Sequence, residues 1–359
     1  MGIGKKTSAA LTAALLMTGA MGANAADLGG TCCADLEERV AELEAMTARK
    51  GNRKVSVTLS GQVSRSILWV NTAGVDDHGM IDNLNSPSRF TIAGEAKINP
   101  DFSAGYLIEI AVGSPDDALL AGSDHLTVRH NALWVGSSLG KVWLGHTGTA
   151  TDGIVEINLA NVNVVALPLG SWVGFDGPRT QVLKVETASM AGFTASASWN
   201  DSVISSANPW DAALRYAGEF SGIRVAGGVG YADDDLGATR VSGSASIMHV
   251  GTGLFATGQA GRVDGGAKVY GATAGIERNF FGIGATTVFG EWSRGDDVTV
   301  SISPLGFAAG PIGRIDVYGL GVVQSINNSA LDLYLGYRRV DVGMTDDIDI
   351  VMAGARVKF

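Results

Sequence analysis

From Lys54 to Phe359 the chain reads as a ladder of short segments in which apolar and polar residues alternate. That is the period of a β-strand with two different faces. The first spans are 54–70, 88–99 and 102–112, and the last are 313–326, 329–341 and 348–359. Sixteen are expected in all, an even number, as a closed single-chain antiparallel barrel requires. Two of them, 211–220 and 254–263, alternate poorly, which leaves fourteen or eighteen as alternatives. The connections also alternate. One set is tight and rich in turn formers, among them Asn99-Pro100-Asp101, Ala191-Gly192, Ser221-Gly222 and Phe281-Gly282. The other set is longer and carries acidic runs: Asp76-Asp77, Asp116-Asp117, Asp233-Asp234-Asp235, Asp296-Asp297 and Asp346-Asp347. Tight turns at one end and long loops at the other are the pattern of an outer-membrane barrel, with the acidic runs on its outer rim.

The leader agrees with that reading. Residues 1–25 form a secretory signal peptide, with Lys5 and Lys6 ahead of an apolar stretch and Ala23-Asn24-Ala25 as the cleavage site. After it, no stretch approaches the roughly 20 apolar residues that a membrane helix needs. Fifty glycines in 359 residues exceed the usual share of about 7%. The net charge of −10 argues against nucleic acid as a partner. Carboxylate pairs are oxygen donors suited to Ca²⁺ or Mg²⁺. Asp76, Asp77, Asp233, Asp234 and Asp235 are therefore candidates for ions that bridge to lipopolysaccharide phosphates; no other cofactor is expected.

One connection breaks the ladder. Residues 149–179 contain "ATDGIVEINLANVNVVALPLGSWVGFDG", too apolar for a solvated linker. A long segment without strand pattern is usually functional, and inside a barrel this one finds burial by folding inwards. It then carries Asp152, Glu156 and Asp176 into the lumen, with Asp152 and Glu156 spaced as neighbours on a helical turn. Strand parity places Arg89, Glu95 and Lys97 on a lumen face, and Arg129 opposite to Leu126, Val128 and Trp134. Arg179 opens the strand after the loop, and Arg215, Arg224, Arg338 and Arg356 also fall on polar faces. Arg65 lies on the apolar side of its strand with Val63.

With the signal peptide, "SPSRFTIAGEAKINPDFSAGYLIEI", the long loop after "GKVWLGH" and the terminal Phe359, the chain resembles general-diffusion porins. More narrowly it is similar to the porin family of rhizobia and other alphaproteobacteria, over residues 26 to 359. The resemblance implies a sixteen-stranded homotrimer in the outer membrane of a Gram-negative bacterium, whose third external loop narrows a water-filled channel. Acidic residues of that loop then face arginines and lysines across a constriction, and small hydrophilic solutes diffuse through passively. Opposed charges across a narrow neck set up a transverse field that sorts ions by sign. The acidic outer loops enrich cations while the basic lumen pulls the other way, and the balance leans slightly to cations. The terminal aromatic, Phe359, resembles the signal read by the barrel-assembly machinery.

The segment 26–51 changes period. Leu36, Val40, Leu43 and Thr47 form a narrow helical seam, with Asp35 and Glu38 as an N-terminal cap. Alone, so short a helix is marginal in water. Held three to a trimer it becomes a periplasmic coiled-coil stalk. Cys32 and Cys33, in an oxidising compartment, are placed to cross-link subunits. The mature N-terminus at Ala26 resembles relatives joined there to peptidoglycan.

No enzyme is expected. Gly136-Ser137-Ser138-Leu139-Gly140 matches a nucleophile elbow, but a second amphipathic strand follows where that motif needs a helix. The five histidines show no metal spacing. Aromatics such as Trp69, Phe102, Trp134, Trp199 and Phe281 gather at strand ends, as interfacial girdles do. The alternatives to a general channel are a substrate-selective channel of the same architecture and a structural envelope tether.

Overall fold

The computed structural model describes residues 55–113, 126–200, 207–300, 310–343 and 347–359. The signal peptide, Ala26, Cys32, Cys33 and the stalk residues Leu36, Val40, Leu43 and Thr47 lie outside them, as do Asp116-Asp117 and Asp346.

The described chain is one antiparallel sheet that closes on itself. Its first strands are β1 (Thr58–Thr72), β2 (Val75–Asp82), β3 (Arg89–Lys97), β4 (Ser103–Val112), β5 (Leu126–Ser137) and β6 (Gly140–Gly148). Next come β7 (Arg179–Thr187), β8 (Phe193–Asn200), β9 (Trp210–Phe220), β10 (Ile223–Asp233), β11 (Thr239–His249) and β12 (Leu254–Val263). The last are β13 (Lys268–Arg278), β14 (Thr286–Val300), β15 (Gly310–Ile326), β16 (Leu331–Asp341) and β17 (Ile348–Lys358). From β3 onwards each strand pairs with the next in sequence, β2 and β3 both pair with β1, and β1 pairs with β17 from Gln62↔Lys358 to Thr72↔Ile348. Closure leaves no free edge in the barrel wall, which is what lets a sheet lie in lipid. The seal reaches the chain's last residue: Gly61 N–H donates to the Phe359 carbonyl at 2.9 Å, and Phe359 N–H returns to Gly61 at 3.1 Å.

Seventeen strand segments make sixteen staves. β1 pairs with β2 (Arg65↔Asp82) and, lower on the same edge, with β3 (Gln62↔Arg89). Three steps along β1 face seven along its partner, so four extra residues bulge out of the stave. The insertion, 83–88, turns into the barrel: Asn83, Ser86 and Ser88 are buried there. The upper half of this stave, β2, was not expected. Asp76 and Asp77 accordingly sit on a strand, two residues beyond a tight outer turn at Ala73-Gly74, and not in a long loop. Asp296 and Asp297 likewise lie within β14. Both weakly alternating segments are strands, β9 and β12.

At the other end, Ala191-Gly192 and Ser221-Gly222 both have positive φ (51° and 87°; 47° and 79°). That is the two-residue hairpin turn whose twist matches the strands it joins. Along the walls, outward residues such as Val63, Leu133, Leu144, Leu183, Leu214 and Val229 are exposed. An apolar outer band of this kind is what bilayer contact demands. No described helix is long and apolar enough to span a membrane; the crossing is made by strands.

One bulge alters the expected faces. Glu109 pairs with His130 but Ile110 pairs with Val128, so Arg129 is the extra residue. Parity flips there. Leu126 and Val128 point out, while Trp134 turns inward and is buried, its ring beside Gly105. Trp134 therefore leaves the expected outer girdle.

Candidate functional site

The largest body of buried apolar side chains lies inside the barrel. Between β6 and β7, residues 149–178 run into the lumen, and Ile154, Val155, Val162, Val164 and Phe175 are almost fully buried there. Glycines in the wall make room: a Cβ on Gly261 would stand 2.3 Å from Phe175 Cδ1. The loop contains one helical turn, α1 (Leu169–Trp172). Asp152 sits on a turn and Glu156 in irregular backbone, so the two do not share the expected helical turn.

Buried backbone must find hydrogen-bond partners, and inward side chains of the wall supply them. At the root, Asp211 of β9 accepts from Ala150 N–H (3.1 Å), Thr151 N–H (2.8 Å) and the Thr151 hydroxyl (2.6 Å). Ser244 accepts from Ile157 N–H at 3.1 Å and donates to the Ile154 carbonyl at 2.7 Å. Ser246 accepts from Leu159 N–H at 3.1 Å, and Ser242 donates to the Phe175 carbonyl at 2.8 Å. Three alternate serines of β11 thus hold both limbs of the loop, since a short hydroxyl lets backbone lie close to a wall. Across the barrel the tip is caught by the 83–88 insertion. Asn83 Nδ2 donates to the Val164 carbonyl (2.8 Å) and Asn85 Nδ2 to that of Val165 (2.6 Å). Arg338 of β16 donates to the Leu167 carbonyl at 2.6 Å.

The expected acidic residues come together on this loop. Asp152 pairs with Arg179 at 3.2 Å. Glu156 accepts from the Ser171 hydroxyl, and Asp176 accepts from Val155 N–H at 3.0 Å. Burial, then the neighbouring Glu156 carboxylate, push the Asp176 carboxyl well above the usual carboxylate range. Burial also raises Asp152, against the pull of Arg179.

The basic residues divide into three kinds. Arg89 and Arg129 share the Glu109 carboxylate, at 3.7 and 2.7 Å, on the wall of β3 to β5. Others hold the loop: Arg215 donates to the Asp152 carbonyl at 2.9 Å, and Lys184 to that of Gly148 at 2.7 Å. Arg338 forms a buried pair with Glu291, and Arg356 bonds Asp332 (2.7 Å), Ser86 and Asn161. The third kind stands apart. Arg224 pairs with Glu219 beside the Ser221-Gly222 turn, and Lys97 is exposed at the end of β3. Sequence parity did not single out Lys184 or Arg240, which donates to the Gly174 carbonyl at 2.6 Å, nor the wall acids Glu109, Asp211, Glu291 and Asp332.

At the outer rim the acidic runs cap backbone. Asp234 accepts from Leu236 and Ala238 N–H at 2.8 and 2.9 Å, and these bonds lower its pKa. Asp233 accepts from Asp235 N–H, Asp235 from Asn208 N–H, and Asp76 from the Asn71 amide. Among the described residues no group of three His, Cys, Asp or Glu is arranged to hold a metal ion.

A closed barrel with a pinned internal loop is a channel architecture, and a sequence model for Gram-negative porins matches residues 9–345. The chain belongs to the Gram-negative porin family. No curated protein matches it in sequence. In structure the porin is similar to an anion-selective porin from Comamonas acidovorans, with 18% identity and a TM-score of 0.64 over 85% of this chain and all of that one. It is also similar to the trimer form of OmpT from Vibrio cholerae (13% identity, TM-score 0.59, 85% and 99% covered). A triple mutant of Rhodopseudomonas blastica porin gives 15% identity and a TM-score of 0.55, with 85% and 100% covered. The family, the barrel and its strand crossing make this an outer-membrane diffusion channel.

Proposed function

We propose that the porin passes small hydrophilic solutes through a neck bounded by the Arg89-Glu109-Arg129 wall and the Glu156–Asp176 side of the inward loop. The observation that carries this is the stapling of residues 149–178 across the lumen at root, middle and tip. A loop held at three places sets a fixed size limit without a gate or an energy source.

The charges favour a weak preference for anions. Asp152 is paired with Arg179, so part of the loop's negative charge is already neutralised. On the wall, Arg89 and Arg129 share one carboxylate, leaving a cation in excess. The cationic lean read from the sequence rested on the acidic runs of the outer loops, set against a basic lumen. The structural likeness to an anion-selective porin runs the same way.

We also propose a homotrimer in contact through the wall of β1 to β7. Arg65 points outward midway between Gly61 and Trp69, where lipid contact costs an arginine about 2–4 kcal/mol. Asn131 and Gln181 are exposed on the outer face of β5 and β7. Packing against another subunit accounts for polar groups at that height. The likeness to the trimer form of OmpT supports the same reading. The rhizobial affinity, the coiled-coil stalk, its cysteine cross-link, attachment at Ala26 and contact with lipopolysaccharide and the barrel-assembly machinery complete the proposal on sequence grounds.

Planar-bilayer recording of the folded, purified protein tests the function. Stable current steps with a modest anion preference are expected; silence from a folded trimer would exclude the channel.

A further inference from the structure

The tip of the inward loop does not fill the space behind it. Between Val165–Leu167 and the wall of β1, β16 and β17 lies a half-enclosed cavity of about 330 Å³. Its wall side is formed by Leu68, Ile350 and Met352, all buried and turned inward, and Trp172 of α1 closes it from the loop side. Gly336 lets the tip approach, since a Cβ there would stand 2.2 Å from Val165 Cγ1. Leu84 of the insertion stands at its edge, 44% exposed.

Most of the polar groups around this cavity are already bonded. Arg338 bonds Glu291 with two nitrogens and the Leu167 carbonyl with one, and its guanidinium lies 4.4 Å from the centre of the Trp172 ring. Asn85 donates to Val165, and Ser171 to Glu156. Water held there needs two to four polar partners, and few remain. An ion fares worse, because Arg338 and Glu291 neutralise each other and a buried unpaired charge is costly. An apolar body is favoured. Apolar cavities of about 150 Å³ stay dry and take up benzene; this one has room for a substituted ring.

We propose that the cavity is a binding site for small uncharged solutes with an aromatic or branched apolar body and a short polar end. The apolar body sits among Leu68, Met352, Leu167 and Trp172, and the polar end stays in the channel water. Such solutes pause at the loop tip, while sugars and inorganic ions pass it by. The inference rests on the barrel's being an open channel.

The test is a ¹⁹F NMR titration of 4-fluorophenol against the folded full-length protein, with 4-fluorobenzoate as the charged counterpart. Saturable binding of the phenol and none of the benzoate is expected. Met352→Trp, which fills the cavity from the wall, lowers the affinity by at least about tenfold, as displacing a ring-sized contact should. Leu68→Trp does the same from the neighbouring strand, so a single misfolded variant does not decide the matter. KCl conductance is recorded on the same preparations. Equal phenol affinity in wild type and both folded variants, or uptake that never saturates, overturns the site. Saturable binding in a preparation that conducts nothing leaves the site standing and defeats the channel reading instead.

Discussion

Asp211 and Thr151 are joined twice: the buried carboxylate accepts from the threonine's backbone N–H at 2.8 Å and from its hydroxyl at 2.6 Å. The pair ties the root of the inward loop to β9. Replacing Asp211 with Ala leaves the two Thr151 donors without this partner, at about 1–3 kcal/mol for each group left buried, while Ala150 N–H keeps the Ser198 hydroxyl at 3.0 Å. The barrel remains closed, because its ladder is untouched. The expected result is a noisier single-channel current and faster proteolysis within 149–178. A variant as quiet and resistant as wild type would show that the root bonds do not hold the loop.

Glu109 holds Arg89 and Arg129 together, so Glu109→Gln removes the one carboxylate they share. A unit charge about 10 Å from the solute path is worth about 0.4 kcal/mol in water, a factor of about two in local ion concentration. The reversal potential in a salt gradient should move towards anions by that permeability ratio. Arg129→Gln should move it the other way.

Asp176 gives the channel a pH dependence. Its folded pKa is raised by burial and by Glu156, so it takes up a proton above the range where exposed carboxylates do. Acidification from neutral pH then removes negative charge from the loop early, and anion preference rises. For stability the sign is fixed by the same shift: a raised carboxyl favours the fold most below its unfolded pKa. That contribution fades as pH rises through the folded value. Asp176→Asn should remove the early step in a plot of reversal potential against pH. A step that persists in the variant would assign it to another group.

Gly261 and Phe175 test the packing side. A Cβ at 261 would stand 2.3 Å from the Phe175 ring, so Gly261→Val must push the loop off the wall. Overpacking of this kind costs about 1–3 kcal/mol. The displaced limb moves into the lumen, and conductance should fall while the barrel still folds. Unchanged conductance would mean that the loop does not border the open path.

Much of this was legible in the sequence because period-2 alternation carries the barrel directly. The tight turns announce their hairpins, and an apolar insert in a ladder of strands has only the lumen to enter. Trp134 shows where parity fails: one bulged residue, Arg129, reverses every face after it, and no local signal marks the bulge. The insertion at 83–88 escaped for a similar reason, since "NLNSPS" reads as loop whether it points out or in. Asp152 shows a third limit. Its carboxylate could be placed on the loop, but its partner Arg179 lies 27 residues away in the chain, and only the fold brings the two together.

The most direct measurement is single-channel conductance of the wild type beside a variant in which residues 156–172 are replaced by a short glycine linker. Those residues form the middle and tip of the inward loop, while Asp211 still holds its root. If the loop sets the neck, the variant conducts substantially more per channel and admits larger sugars in liposome-swelling assays. Equal conductance and an equal size limit in the two folded proteins would place the neck elsewhere.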